Sequence, residues 1–365
     1  MSKISDIILA LESYAPRSYQ ESYDNSGLLT GNQSQEVNGV LITLDCTEEV
    51  VDEAIGIGAN LIIAHHPIIF GGLKRLTGSN YIERTVIKAI KHDIAIYAIH
   101  TNLDNVDNGV NAMISEKIGL SNTRVLSPKK STLTKLEFFV PSEQTSSVLE
   151  SIHKAGAGQI GNYQNCSFMV NGTGTFKPNE KANPTIGSTD KLESVIEDKV
   201  EVILPTFLQG QILAALKQSH PYEEVAYYLH AIQNTNQEVG SGMIGELNKE
   251  LTVADFLKHL KQSMNLNTIK YTHLNKDKVR KVAVCGGSGS FLLRSAMAQK
   301  ADAFVTSDFK YHEFFDGEGK TMIADIGHYE SEVFTKDLID RILREKFTNI
   351  ATYLSEVNTN PVKYF

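Results

Sequence analysis

The chain has 365 residues and a formal net charge of −8, so no global positive field draws it to nucleic acid. Hydrophobic residues make up 41% and charged residues 21%, a balance that supports a substantial core and argues against long disorder. Cys46, Cys166 and Cys285 are too few and too widely spaced for a disulfide framework or a paired-cysteine zinc site; free thiols in a cytoplasmic protein are expected.

The first predicted element is an amphipathic helix, because Ile4, Ile7, Ile8 and Leu11 recur at helical spacing. The same stretch lacks the apolar core of a signal peptide. No run of about 18 apolar residues follows anywhere, so no membrane span is expected.

From Gly39 to His66 the pattern is a buried apolar strand, a polar turn, a helix and a second strand, LIIA, ending in His65-His66-Pro67. Successive strand side chains point to opposite sides. Two adjacent histidines that serve one site therefore need the strand to end there, and Pro67 and Gly71-Gly72 supply the break. Neighbouring imidazoles suit two neighbouring metals, one each. A further strand from Ile94 runs into a helix and carries His100-x-x-x-Asp104.

Residues 127–237 differ in character and contain their own repeat. Lys135–Gly156 parallels Lys199–His220: each is an alternating strand, a proline, a candidate helix cap (Ser142, Thr206) and an apolar-periodic helix. A strand candidate follows each helix. The resulting β-α-β-β-α-β order is that of a ferredoxin-like α+β domain, with the Pro-, Asn- and Gly-rich stretch Phe176–Lys191 as an exposed loop.

Beyond residue 238 the first half recurs. Lys281–Asp308 aligns without a gap with Gly39–His66, and ends in Ser307-Asp308 where the first copy ends in His65-His66. The strand from Thr321 then carries His328-x-x-x-Glu332 at the place of His100-x-x-x-Asp104. Strands alternating with helices imply parallel or mixed sheets with flanking helices. The expected fold class is α/β: two related halves facing a cleft, formed by residues 1–126 and 238–365, with 127–237 inserted.

Polar residues at strand ends are where such folds collect function. Three histidines and two carboxylates, His65, His66, Asp104, His328 and Glu332, are enough for two divalent ions with positions left for water. His100 and Asp308 are expected behind these ligands. His312 is a candidate proton carrier, with a solvent-facing helix histidine an equal alternative. Gly286, Gly287, Ser288 and Gly289 are a candidate anion cradle between strand and helix, with a plain tight turn as the alternative. Lys74, Arg75 and Lys310 could assist it.

Taken in order, DNSGLLTGN, GANLIIAHHPIIF, IHTNLDNVDNGVN, CGGSG, ADAFVTSDFKYHEF and DIGHYESE resemble the GTP cyclohydrolase 1 type 2 homologue family, the NGG-interacting-factor-like dinuclear metal proteins. The resemblance implies two divalent ions per chain, zinc first with iron or manganese as alternatives, held by the five residues above. It also implies a toroidal homohexamer and a small anionic ligand. The reaction it suggests is attack of metal-activated water on a nucleotide. A phosphoesterase or amidohydrolase, and a non-catalytic regulatory hexamer with a ligand-sensing insert, stay open beside it. Residues 127–237 resemble the PII- and CutA-like insert of longer members, with His220-Pro221-Tyr222-Glu223-Glu224 as its signature. One departure is Tyr23, where many relatives carry Trp; the chain has no Trp.

Overall fold

A computed structural model describes residues 2–365. Two compact units result, one reaching Pro128 and resuming at Glu238, the other spanning Lys129–Gln237.

The first half begins with the amphipathic helix Ile4–Tyr14, which buries Ile4, Ile7 and Leu11. Strands β1 (Gly27–Thr30), β2 (Val40–Thr43), β3 (Leu61–Ala64) and β4 (Ala95–Ala98) follow. The last three pair in parallel and are buried throughout, as expected for apolar runs covered on both faces. β1 lies antiparallel on β4. Thr47 caps the intervening helix Glu48–Ile57, and Gly58 ends it in the left-handed conformation.

β5 (Leu120–Pro128) closes the half but joins the other sheet, where Pro128 pairs with Gly240. The second compact unit begins after β5, at Lys129. The strands before and after it are hydrogen-bonded neighbours, so an insertion here leaves the host sheet unbroken.

Within the insert, β6 (Leu133–Pro141), β7 (Phe168–Phe176), β8 (Glu193–Pro205) and β9 (Tyr227–Ala231) form one antiparallel sheet in the order β7-β8-β6-β9. Helices Thr145–Lys154 and Gln209–Ser219 pack Val148, Ile152, Ile212 and Leu216 on one sheet face. The proposed caps do not cap. Both helices begin three residues later, the Ser142 hydroxyl donates to Asp198, and Thr206 pairs with Thr134.

The second half repeats the first. β10 (Gly240–Thr252) is followed by β11 (Lys270–Tyr271), β12 (Lys278–Ser288), β13 (Ala303–Ser307) and β14 (Met322–Asp325). β12, β13 and β14 are parallel, and β11 lies antiparallel on β14 as β1 does on β4. The halves are also interlaced, because β15 (Thr352–Leu354), at the C-terminal end, pairs in parallel with β2 of the first sheet. One continuous core joins Ile42, Ile63 and Tyr97 of the first sheet to Val282, Val284 and Val305 of the second. Among the described residues, no helix is long and apolar enough to cross a membrane.

Candidate metal centre

The site lies at the C-terminal ends of the duplicated parallel strands. His65 and His66 continue the β2–β3 ladder past its end, donating backbone N–H groups to the carbonyls of Thr43 and Leu44. His100 starts the single turn Thr101–Asp104. His328 and Glu332 bound the short helix His328–Glu332, whose four-residue spacing stacks them on one side.

Four imidazoles share one mode of orientation. His65 Nδ1 donates to the Ile99 carbonyl at 2.8 Å. His66 Nδ1 donates to Asp45 at 2.7 Å, His100 Nδ1 to Asp24 at 2.8 Å and His328 Nδ1 to Asp308 at 2.6 Å. Each such bond fixes the ring and leaves Nε2 for the interior. His66 Nε2 lies 3.0 Å and His328 Nε2 3.1 Å from Glu332 Oε2. His65 Nε2 lies 3.8 Å from Glu332 Oε1 and 3.5 Å from Asp104 Oδ1.

Three overlapping groups could hold a metal ion: His65–Asp104–Glu332, His66–His328–Glu332 and His65–His66–His100, with ligand atoms within 4.8 Å of one another in each. Two buried atoms here, His65 Nε2 and Asp104 Oδ1, have no hydrogen-bond partner. Orphaned buried polar atoms are costly, and a cation between them removes the cost. The donor set, imidazoles and carboxylates, suits a divalent transition ion.

The electrostatics agree. Burial alone would lower the His66 imidazole, but Asp45 and Glu332 outweigh it and raise its pKa to about 9. The same balance, with Asp308 and Glu332, raises His328 to about 11. Burial and then the Glu332 charge push Asp104 up to about 7. Glu332 is held well below the usual carboxylate range: burial opposes this, and hydrogen bonds from the histidines overcome it. This is a nest of mutually dependent charges of the kind found at functional sites.

The five sequence-derived ligand candidates thus converge. Asp308 accepts from His328 Nδ1 at 2.6 Å. His100 comes further inward than expected, into one of the three groups. His312 does not join them: it is exposed on the turn Tyr311–Gly317 and lines neither cavity beside the cluster.

Gly286, Gly287 and Ser288 of the glycine segment line the cavity, but two of its N–H groups are already engaged. The Gly286 N–H donates to Asn111 and the Gly287 N–H to the Ser331 hydroxyl, so neither is free for an anion. Lys74, Arg75 and Lys310 do not line the cavity. Gly287 has a steric role instead. Its φ is +59°, and a Cβ there would lie 2.6 Å from Glu332 Oε1 and 3.2 Å from His328 Cε1. Gly287→Ala is expected to cost about 1–2 kcal/mol of stability and to weaken metal uptake by displacing Glu332. Thermal unfolding and metal titration would read this out; unchanged values in both would remove the role assigned to the glycine.

Sequence reasoning missed Asp24 and Asp45 as orienting groups. Both follow or precede strand ends, but their partners lie 76 and 21 residues away, and only the repeat's strand-end rule could have flagged Asp45.

A cavity of about 380 Å³ opens onto the cluster, with His66, His100, Asp104, His328 and Glu332 on one side and Tyr23, Phe70 and Phe291 on another. Tyr23 and Phe70 stack with ring centroids 6.3 Å apart.

Fold and cluster together define a duplicated α/β protein with a candidate metal centre between its halves. A family model described as Duf34/NIF3 (NGG1p interacting factor 3) matches residues 2–361, and the chain belongs to that family. It is 39% identical to a GTP cyclohydrolase 1 type 2 homolog of Halalkalibacterium halodurans, covering 98% of each chain. It is 37% identical to the homolog of Bacillus subtilis, over 98% of this chain and 97% of the other. Among solved structures, a Bacillus cereus protein related to NIF3 superimposes with a TM-score of 0.88 at 39% identity, over 100% of this chain and 99% of that one. A Staphylococcus aureus protein gives 0.79 at 32% identity, with the same coverage.

Proposed function

We propose that the chain is a dinuclear metal-dependent hydrolase of a small heterocyclic molecule, a nucleotide base or a relative of one. The observation that carries this reading is Glu332, buried with each carboxylate oxygen facing a different group of ligands. His65 and Asp104 would hold one ion, and His66 and His328 the other, with Glu332 between. Zinc fits this donor set first. Two bound divalent ions supply Lewis acidity to a water and to a substrate oxygen.

The protein's own groups prepare that chemistry. Asp24, Asp45, Asp308 and the Ile99 carbonyl hold the imidazoles in one tautomer and orientation. Tyr23, Phe70 and Phe291 offer aromatic faces to a flat substrate at the cavity mouth. The cavity wall carries no lysine or arginine among the described residues, so a polyphosphate would meet no fixed cationic side chain. A heterocycle with at most a small anionic group suits it better than a nucleoside triphosphate. The family resemblance supports a toroidal homohexamer, which light scattering of the purified protein checks.

The test is turnover of a panel of purines, nucleosides, nucleotides and phosphoesters by metal-loaded protein. Ring opening or deacylation of a heterocycle is expected, abolished by chelation and restored by the ion. Turnover that survives chelation, or a strict requirement for a triphosphate, would sink this reading.

A further inference from the structure

The insert contains a second cavity, of about 410 Å³, on the sheet face opposite its two helices. The long loop after β7 and the segment His220–Glu224 cover that face. The loop is fastened there: the Asn183 N–H donates to Glu223 at 2.8 Å, and the Thr185 hydroxyl donates to the Pro221 carbonyl at 2.7 Å. His220 is a brace. Its Nε2 donates to the Phe139 carbonyl at 2.8 Å, and its Nδ1 accepts the Tyr222 N–H at 3.1 Å. The signature His220-Pro221-Tyr222-Glu223-Glu224 therefore builds one wall of a cavity.

Phe139, Phe176, Pro178, Pro184, Ile186 and Tyr222 make the lining mostly apolar. Within it lies Glu197, which is only 8% exposed. A Cβ at Gly174 would come within 1.9 Å of Glu197 Oε2, so the glycine leaves room for this carboxylate. No lysine or arginine among the described residues forms an ion pair with Glu197; the imidazole that feels its charge is His220, whose two ring nitrogens are both engaged by backbone groups and whose pKa burial holds down. Lys177, the one cation of the lining, pairs with Asp190 at 3.6 Å, while Glu223 and Glu224 add further negative charge. The buried Tyr222 hydroxyl faces Glu197; burial and that charge hold the phenol well above its ordinary range. A buried carboxylate without a counter-charge is costly. Phe176 and Tyr222, with ring centroids 5.8 Å apart, offer π faces beside it, the combination that recognises organic cations.

We propose that this cavity is a binding site for a small organic cation, with an ammonium or amidinium head against Glu197 and a flat apolar body between Phe176, Tyr222 and the loop. The site is separate from the metal centre and independent of any reaction assigned there.

Benzylammonium is a suitable probe, titrated into the full-length protein at neutral pH by calorimetry or ligand-observed NMR. Saturable binding is expected with a Kd of about 1 mM, ordinary for so small a ligand. Benzoate and benzyl alcohol should bind at least about tenfold more weakly, and Glu197→Gln should weaken benzylammonium by about tenfold or more. Ala182→Phe, a change in the loop that fills the cavity, should abolish binding while melting curves and metal content stay as in the parent; it decides the matter should the Glu197 variant misfold. The proposal is overturned if benzylammonium does not saturate, if benzoate binds as well, or if the filled cavity binds undiminished.

Discussion

Glu332→Gln is expected to give a folded protein that no longer retains metal, with the affinity reduced at least about 100-fold. Even groups that only orient ligands cost roughly 10–100-fold when lost, and Glu332 is placed at the centre. Its two oxygens lie 3.0 Å from His66, 3.1 Å from His328 and 3.8 Å from His65. An amide offers one carbonyl oxygen and an NH2 that repels both a cation and an imidazole N–H. Asp45→Asn makes a graded comparison. It leaves every direct ligand in place and removes only the carboxylate behind His66, so a loss of about 10–100-fold is expected. His312→Ala, on its exposed turn, should change nothing. Metal analysis after gel filtration, with competitive chelator titration, ranks the three. Retention of metal by the Glu332 variant equal to that of the parent would remove the central role given to this residue.

The site is partly legible in the sequence because the duplication puts chemistry at equivalent strand ends. His65-His66 closes one apolar strand, and His100-x-x-x-Asp104 and His328-x-x-x-Glu332 follow corresponding strands, so the repeat places them at equivalent strand ends, while the packing of the two halves brings them together. The parallel sheets are legible for the same reason: LIIA and its counterparts are apolar without alternation, the mark of strands covered on both faces. What the sequence conceals depends on distant partners. Asp24 reaches His100 across 76 residues, and β15 crosses back to β2 from the far end of the chain. The glycines at 286 and 287 look like an anion loop in one dimension. In three dimensions their N–H groups are already committed, and the missing side chain at Gly287 makes space for Glu332. The signature at His220 has no chemistry of its own in sequence; its meaning lies in the loop it fastens and the carboxylate it faces.

Removing the metal should make stability fall as pH rises from about 6.5 to 8.5, and the loaded protein should not follow. In the metal-free chain His66 is raised from 6.5 to about 9. A group whose folded pKa is raised stabilises fully below its unfolded value and loses that contribution as pH climbs through the folded one. Asp104, raised from 3.8 to about 7, acts in the same direction but mostly below this window: its penalty builds from about pH 4 and is complete near pH 7. His328, raised to about 11, extends the decline at the alkaline end but is partly exposed and screened. Asp24, Asp45 and Asp308 are lowered, so their contributions are constant across this window and are lost only in acid. Buried Cys46, raised to about 12, begins to matter only near pH 9, above the window. For His66 the effect is at most about 3 kcal/mol, which for a unit of this size is roughly 5–10 °C in Tm. A metal bound by these groups would take the place of the protons, and its binding would strengthen as the ligands deprotonate, so the gap between loaded and chelated melting temperatures should widen with pH. Differential scanning calorimetry in matched buffers, with and without chelator, measures that gap. A chelated protein whose Tm holds or rises between pH 6.5 and 8.5 would mean that protons are not standing in for metal among His66, Asp104 and Glu332.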